Sequence, residues 1–222
     1  MFKRSVLSER LYIMNEVLNY CLNEIGCALP GFHVREVSNE PVITPLAVAF
    51  AGKKVYFSAA KEIFAEAKKH IDEPGALYDL AARYARERGY EPPRADEIIC
   101  YEVGKCAPSN SAVRLTGAEK DALFSDLPYL VTLGPVFGIV KNGVVVSLAG
   151  AVDRGSVYEV HIETAPSERK KGFAAACLRS LAHTAEKPLL YRCRKENRAS
   201  DSTVRSVGGV PVLSYRAFTA RR

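Results

Sequence analysis

Between two apolar runs the chain carries Thr164-Ala-Pro-Ser-Glu-Arg-Lys-Lys-Gly-Phe-Ala174. The β-branched run before it is typical of a strand, and the Ala- and Leu-rich run after it is typical of a helix. A turn between a strand and a helix presents backbone N–H groups, and the helix dipole adds positive potential there. Arg169, Lys170 and Lys171 contribute three further charges. The segment therefore predicts a site for a pyrophosphate.

The spacing of this segment and of the residues after it matches a known pattern. It reads Arg-x-x-Gly-x-Ala from Arg169 to Ala174, with Pro166 three residues before the arginine. A second strand pattern then leads into Asn197-x-x-Ser200. Together these motifs resemble the acyl-CoA-binding core of the GNAT superfamily of N-acetyltransferases.

The resemblance covers roughly residues 113–218 and implies acetyl-CoA as the acyl donor, with no metal. By match, the positions expected to bind acetyl-CoA are Ile162, Glu163, Thr164, Arg169, Lys170, Lys171, Gly172, Phe173, Ala174, Asn197 and Ser200. In the family, the strand before the loop parts from the next strand and offers backbone hydrogen bonds to the pantetheine arm, here through Ile162 and Thr164. The implied reaction is direct attack of a primary amine on the thioester, without a covalent enzyme intermediate.

Titratable side chains alternate along the strand before the loop. Glu159, His161 and Glu163 share one face of that strand. By the resemblance, Glu159 best matches the general base that deprotonates the amine, and His161 is the second candidate. Neighbouring carboxylates are expected to raise the proton affinity of His161, and their clustering to raise the pKa of a carboxyl. The alternative is a solvated or salt-bridged face with no catalytic role.

The sequence departs from the family where many members carry a tyrosine that protonates the leaving thiolate. Val204 stands at that position and has no proton to donate. Tyr191, Tyr215, Tyr158 and solvent remain as alternatives. The departure motivates a second hypothesis, a non-catalytic protein that binds or senses acyl-CoA. A third is a protein of two GNAT-type halves, the first degenerate.

Turn and strand patterns predict an α+β fold for the second half of the chain. Asn142-Gly143 lies between β-branched runs and is a favoured type I′ hairpin signal. It predicts three antiparallel strands, over residues 136–141, 144–152 and 157–164. A helix, a strand, a helix and a strand follow, over Lys171–Ala185, Leu189–Cys193, Ala199–Ser206 and Val210–Phe218. This is the order of the GNAT fold, a mixed and mostly antiparallel sheet flanked by helices.

A turn-rich link around Pro108 predicts two domains, an N-terminal α/β domain over residues 1–108 and a GNAT domain over 109–222. This arrangement resembles a bacterial GNAT subgroup with an extra N-terminal domain, whose role is either to complete the acceptor cleft or to form a degenerate GNAT-like half. The predicted N-terminal elements are a helix over 7–27, strands over 42–51, 54–57 and 97–103, a helix from a Ser58 cap to His70, and a helix over 76–89. Thr116 is expected to cap a helix over 117–123.

Composition limits the classes of partner. The 222 residues carry a net charge of +6, with 48% hydrophobic and 25% charged residues, as in ordinary folded proteins. Positive charge suits an anionic ligand such as CoA, whereas its scatter among acidic residues argues against nucleic acid. No run approaches the ~18 apolar residues of a membrane span, so we expect a cytoplasmic protein without a membrane partner. The six cysteines contain no Cys-x-x-Cys pair and predict no metal site. The acceptor amine is not identified, and a homodimer is left open.

Overall fold

The computed structural model describes residues 16–25, 31–35, 37, 41–116 and 134–222. These residues divide into two compact units, one built mainly from Cys100–Pro211 and the other from Leu18–Ile99 with Val212–Arg222. In chain order the elements are α1 (residues 16–24), β1 (Gly31–Arg35), β2 (Val42–Ala51), β3 (Lys54–Ala60), α2 (Lys61–Ala67), α3 (Pro74–Glu87), β4 (Arg94–Val103), β5 (Val113–Arg114), β6 (Val136–Lys141), β7 (Val144–Asp153), β8 (Tyr158–Thr164), α4 (Phe173–Thr184), β9 (Leu189–Arg194), α5 (Arg198–Ser206) and β10 (Val210–Arg221). The predicted helix over 117–123 and most of the N-terminal half of the predicted 7–27 helix lie outside the described residues.

The unit around Cys100–Pro211 contains a mixed sheet in the strand order β4-β9-β8-β7-β6-β5, with β4 contributing only residues 100–103. Strands β5, β6, β7 and β8 pair with one another in antiparallel fashion, whereas β8 pairs with β9 in parallel. The predicted hairpin is confirmed, because β6 pairs with β7 and both Asn142 (φ 51°) and Gly143 (φ 78°) have the positive φ that a type I′ turn requires.

Helix α4 packs on the strands of this meander. Its fully buried side chains include Cys177, Leu178 and Leu181, which recur at helical spacing, and the helix contacts β6, β7 and β8. It begins at Phe173, two residues later than the sequence pattern predicts, because Lys170 (φ 64°) and Gly172 (φ 79°) have left-handed backbones that cannot start a helix. Burial raises the pKa of Cys177 to about 11, so this thiol is a core group.

Within the described residues, the other unit contains five strands and a hydrophobic core. Its strand order is β1-β3-β2-β10-β4, with β1 parallel to β3, β2 antiparallel to β3 and β10, and β4 contributing residues 94–99. Helices α2 and α3 cover this sheet through side chains that include Ile63, Leu77 and Tyr84, and these pack with Phe57 and Phe218. No helix in the described part of the chain has both the length and the apolar character needed to cross a membrane.

The assignment of Ser58 as a helix cap is wrong. Ser58 lies inside β3, which runs on to Ala60, and its side chain is fully buried. Its hydroxyl donates to the carbonyl oxygen of Ile25 at 2.6 Å, so it satisfies a distant backbone group. Helix α2 begins at Lys61 and has no side-chain cap at its N-terminus.

Truncation of the α4 core provides a first prediction. We expect Leu181→Ala to lower the free energy of unfolding by about 2–5 kcal/mol, because it removes a fully buried side chain and leaves a cavity. Val144→Ala is the matched control, since Val144 is 58% exposed and its loss should change stability by less than about 0.5 kcal/mol. Urea unfolding measures both variants, and equal losses would contradict the packing described for α4.

Candidate functional site

Strand β8 parts from β9 before it ends. On one side β8 pairs with β7 along its whole length, from Tyr158 opposite Asp153 to Thr164 opposite Ser147. On the other side the parallel ladder with β9 ends at the pair Val160 and Tyr191, and the rest of β8 continues beyond it. Strands that part in this way leave backbone groups that can bind an extended ligand.

A groove of about 730 Å³ lies where the two strands part. It is lined by Ile162, Glu163, Thr164, Glu168, Arg169, Lys170, Gly172, Phe173, Ala174, Ala175, Tyr191, Asn197, Ala199, Ser200, Ser202, Thr203 and Ser206. This set contains every residue that the sequence suggests for acetyl-CoA except Lys171. Side chains from both faces of β8 take part, because the groove follows the edge of the strand.

The loop between β8 and α4 leaves the start of the helix open. A short 3₁₀ turn over Pro166–Glu168 precedes the left-handed residues Lys170 and Gly172, and no side chain among the described residues caps the helix. The N–H groups of the first helical turn therefore remain available as donors at the positive end of the dipole. The Arg169 side chain is held across the loop, where its Nε donates to the carbonyl oxygen of Thr164 at 3.3 Å.

A lysine from the hairpin contacts this loop and was not found by sequence reasoning. Lys141 Nζ lies 2.7 Å from a carboxylate oxygen of Glu168, and Lys171 Nζ lies 3.1 Å from the same oxygen. Hydrogen bonds from Lys141 and Lys171 lower the pKa of Glu168. Lys141 also lies over the ring of Phe173, 4.5 Å from its centroid. The ammonium group of Lys171 therefore lies against the Glu168 carboxylate.

Two arginines surround Glu159. Its carboxylate is 8% exposed and accepts hydrogen bonds from Arg154 Nε at 2.8 Å and from Arg192 Nε at 2.9 Å. Burial raises the pKa of this carboxyl, but the charges and hydrogen bonds of Arg192 and Arg154 together outweigh it, and the net shift is downward. The expectation that clustered carboxylates raise the pKa on this face is therefore wrong for Glu159, because arginines from elsewhere in the chain neutralise it.

His161 shifts in the direction opposite to the sequence expectation. Burial lowers its pKa, and this effect exceeds the upward influence of Glu159, while Arg154 and Arg192 add to the lowering. The imidazole is therefore neutral at physiological pH. Its Nε2 is buried and makes no hydrogen bond within the described part of the chain. Neither Glu159 nor His161 lines the groove, whereas Glu163 on the same face does.

Helix α5 completes the groove and is capped at its N-terminus. Asn197 Oδ1 caps it by accepting from the Ser200 N–H at 3.1 Å. Val204 is fully buried in the same helix. Of the three tyrosines considered from the sequence, Tyr191 lines the groove and hydrogen-bonds Ser200, Tyr158 does not line it, and Tyr215 belongs to the other unit.

A polar cluster around the buried Tyr101 attaches α5 to β4. The Tyr101 hydroxyl donates to Asp201, and Arg205 donates both to Asp201 Oδ1 at 3.0 Å and to the Tyr101 oxygen at 3.1 Å. Burial and the bond to Asp201 raise the pKa of Tyr101 to about 12, so it stays a donor. Asp201 and Arg205 are one helical turn apart, but Tyr101 lies about a hundred positions away, so no local pattern could have revealed its part in the cluster.

The comparisons with known proteins concern the fold. No protein-family model matches the sequence, and no curated protein matches it significantly. A GCN5-related N-acetyltransferase-like protein from Streptococcus suis superposes with a TM-score of 0.51 at 13% identity, over 92% of this chain and 99% of that chain. A GNAT-family protein from Novosphingobium aromaticivorans gives a TM-score of 0.49 at 17% identity, over 95% and 97% of the two chains. An acetyltransferase of the GNAT family from Colwellia psychrerythraea gives 0.49 at 11%, over 76% and 77%.

The likeness to the Streptococcus suis structure shows that this chain has a GNAT-like fold, a mixed sheet with helices. The α+β fold predicted for the second half is confirmed to that extent. The boundary at residue 108 and the subgroup with an extra N-terminal domain stay predictions.

The ion pairs of Glu159 lead to a pH-dependent prediction. Because its pKa is lower in the folded state, its contribution to stability is present above the ordinary pKa of a glutamate and is lost as the pH falls through the folded value. We expect Glu159→Gln to destabilise the protein by about 1–3 kcal/mol at neutral pH, because it weakens charge-assisted hydrogen bonds. The difference from the wild type should shrink below about pH 4. Urea unfolding at several pH values tests this, and a gap that widens in acid would contradict it.

Proposed function

We propose that this protein is an acetyl-CoA-dependent N-acetyltransferase, which moves an acetyl group to a primary amine by direct attack on the thioester. The observation that carries the proposal is the groove where β8 parts from β9, whose lining includes the uncapped start of α4. The groove joins two features that a long anionic thioester needs, an open strand edge for its arm and a positive helix start for its phosphates.

The size and charge of the groove suit this donor. About 730 Å³ falls within the ~300–1,000 Å³ of small-molecule sites. Arg169 and Lys170 would contact the pyrophosphate, together with the N–H groups of Phe173 and Ala174, whereas Lys171, paired with Glu168 outside the lining, would add positive potential only. Backbone groups of Ile162 and Thr164 would bind the pantetheine arm, with the remaining suggested positions, Glu163, Gly172, Asn197 and Ser200, along the groove wall.

For the base, the geometry favours His161 over Glu159. Glu159 is ionised but held by two arginines, which makes it a weak proton acceptor. His161 is neutral and can accept a proton, and it is adjacent in sequence to Ile162 of the groove lining, so the amine proton would reach it through one water. We assign Glu159 a positioning role, in which its negative charge raises the pKa of His161.

A second candidate function is a non-catalytic acyl-CoA-binding or sensing protein. The observation that favours it is Val204, whose buried apolar side chain offers the leaving sulfur no proton. Both functions share the acyl-CoA groove, so binding alone does not separate them. Turnover does, and because fold does not specify the acceptor, the amine panel should span small amines and protein amines.

Charge reversal in the loop tests the groove as the acyl-CoA site. We expect Arg169→Glu to weaken acetyl-CoA binding about tenfold or more in calorimetry, and the double variant with Gly172→Asp to abolish it, because acidic groups would face the phosphates. Arg86→Glu is the matched control, since it makes the same charge change at an exposed position of α3. Thermal unfolding verifies that each variant is folded. If Arg169→Glu binds like Arg86→Glu, the groove is not the site.

The pH profile of kcat/KM distinguishes the two candidate bases. Because the base must be unprotonated, activity should fall in acid, with a midpoint below the ordinary histidine pKa of about 6.5. Glu159 raises the pKa of His161, so Glu159→Gln should keep turnover and move the midpoint to lower pH, whereas His161→Gln should lower turnover at least ~100-fold. Thiol release across the amine panel measures this. Loss of all turnover in folded Glu159→Gln at every pH would return the role of base to Glu159.

A further inference from the structure

Direct attack on a thioester leaves an electron pair on sulfur, and this pair needs a donor nearby. Hydrogen-bond donors placed where charge develops are a large source of rate enhancement. Position 204 of α5 cannot serve, because Val204 is apolar and fully buried. The donor must therefore be a neutral group of the groove lining that carries an exchangeable proton.

Tyr191 is the tyrosine in the groove lining, and it lies at the point where the strands part. It forms the last pair of the β8–β9 ladder, opposite Val160. Its side chain is 5% exposed, so the phenol is held in the wall of the groove. A hydrogen-bond donor here lies beside the first unpaired residues on the β9 side of β8. The pantetheine arm of acetyl-CoA is proposed to lie along these residues.

The phenol of Tyr191 is oriented from α5. A hydrogen bond between the Ser200 and Tyr191 side chains lowers the pKa of Tyr191. With Ser200 as the donor of this bond, the Tyr191 O–H would be available to another acceptor. Ser200 is itself fixed through its N–H to Asn197, and it precedes Val204 by one helical turn on the same side of α5. The phenol thus reaches the helix face that carries position 204.

The charge state of Tyr191 suits donation. Burial raises its pKa, and this outweighs the bond from Ser200, with a smaller upward effect of Cys193. The phenol is therefore neutral throughout the physiological range. Burial likewise raises the pKa of Cys193, so the neighbouring thiol carries no competing charge.

We propose that the Tyr191 hydroxyl donates a hydrogen bond to the sulfur of the departing CoA, replacing from strand β9 the donor that Val204 cannot provide. This inference rests on the proposed function. The amine nitrogen forms the C–N bond and its proton passes to His161. The C–S bond then breaks, its electron pair goes to sulfur, and the Tyr191 O–H stabilises the resulting thiolate. The thiolate takes a proton from water on release, and the phenol keeps its own.

Steady-state kinetics with a matched pair of variants tests this role. We expect Tyr191→Phe to lower kcat about 10²–10³-fold with the calorimetric Kd for acetyl-CoA within about threefold of the wild type, because the bond forms only as charge develops on sulfur. Tyr158→Phe removes a hydroxyl outside the groove lining and should leave kcat unchanged. Thermal unfolding excludes loss of the fold in either variant.

Product binding supplies a readout that does not depend on turnover. Calorimetry compares CoA with desulfo-CoA from about pH 7 to pH 9.5, a window that crosses the ordinary thiol pKa of about 8.5. In the wild type, the affinity for CoA relative to that for desulfo-CoA should rise about tenfold as the thiolate forms. In Tyr191→Phe this rise in relative affinity should be lost. The comparison of the wild type with Tyr191→Phe removes the effect that the other charged groups of the lining have on the thiolate, since both proteins carry them: Glu163, Glu168, Arg169 and Lys170.

The outcomes separate this inference from the proposed function. If the wild type turns over and Tyr191→Phe matches it in kcat and in the pH-dependent gain, Tyr191 is not the donor while the acetyltransferase stands. If Tyr191→Phe loses both, the inference holds. If the wild type binds acetyl-CoA but releases no thiol with any amine, the proposed transfer and the catalytic role of Tyr191 are both overturned.

Discussion

The end of the parallel ladder between β8 and β9 is the constraint on which the site depends. β8 keeps its pairing with β7 along its entire length, while its ladder with β9 ends at Val160 and Tyr191. A strand paired on one edge stays straight and ordered while its other edge opens. The groove is therefore built from rigid backbone and costs little ordering when an extended ligand binds.

Charge in this unit is arranged in two separate sets. In the first set, Glu159 pairs with Arg154 and Arg192, and the buried imidazole of His161 nearby stays uncharged. In the second, Glu168 gathers lysines around the loop before α4. Because Glu168 pairs with Lys141 and Lys171, the groove-lining cations Arg169 and Lys170 are not the partners of this carboxylate.

The sequence could predict what short-range patterns encode. The turn at Asn142-Gly143 and the strand-loop-helix around Gly172 depend on neighbours within a few residues, and both are present in the structure. Features set by distant partners could not be predicted. Ser58 has the residue type of a helix cap, but its hydroxyl satisfies Ile25, thirty-three positions away. The lowered pKa of Glu159 depends on Arg192 from another strand, and the lowered pKa of His161 depends first on its burial in the folded protein, so neither direction follows from neighbouring residues in the sequence.

The left-handed backbone of Lys170 indicates that the side chain, and not only the conformation, matters at this position. A residue with a Cβ at φ 64° costs on the order of 1 kcal/mol of backbone strain, which a glycine would avoid. The neighbouring Gly172 shows that the loop uses glycine where only conformation matters. At position 170 the chain tolerates the strain and keeps an ammonium group, so stability is given up locally for a positive charge at the mouth of the groove.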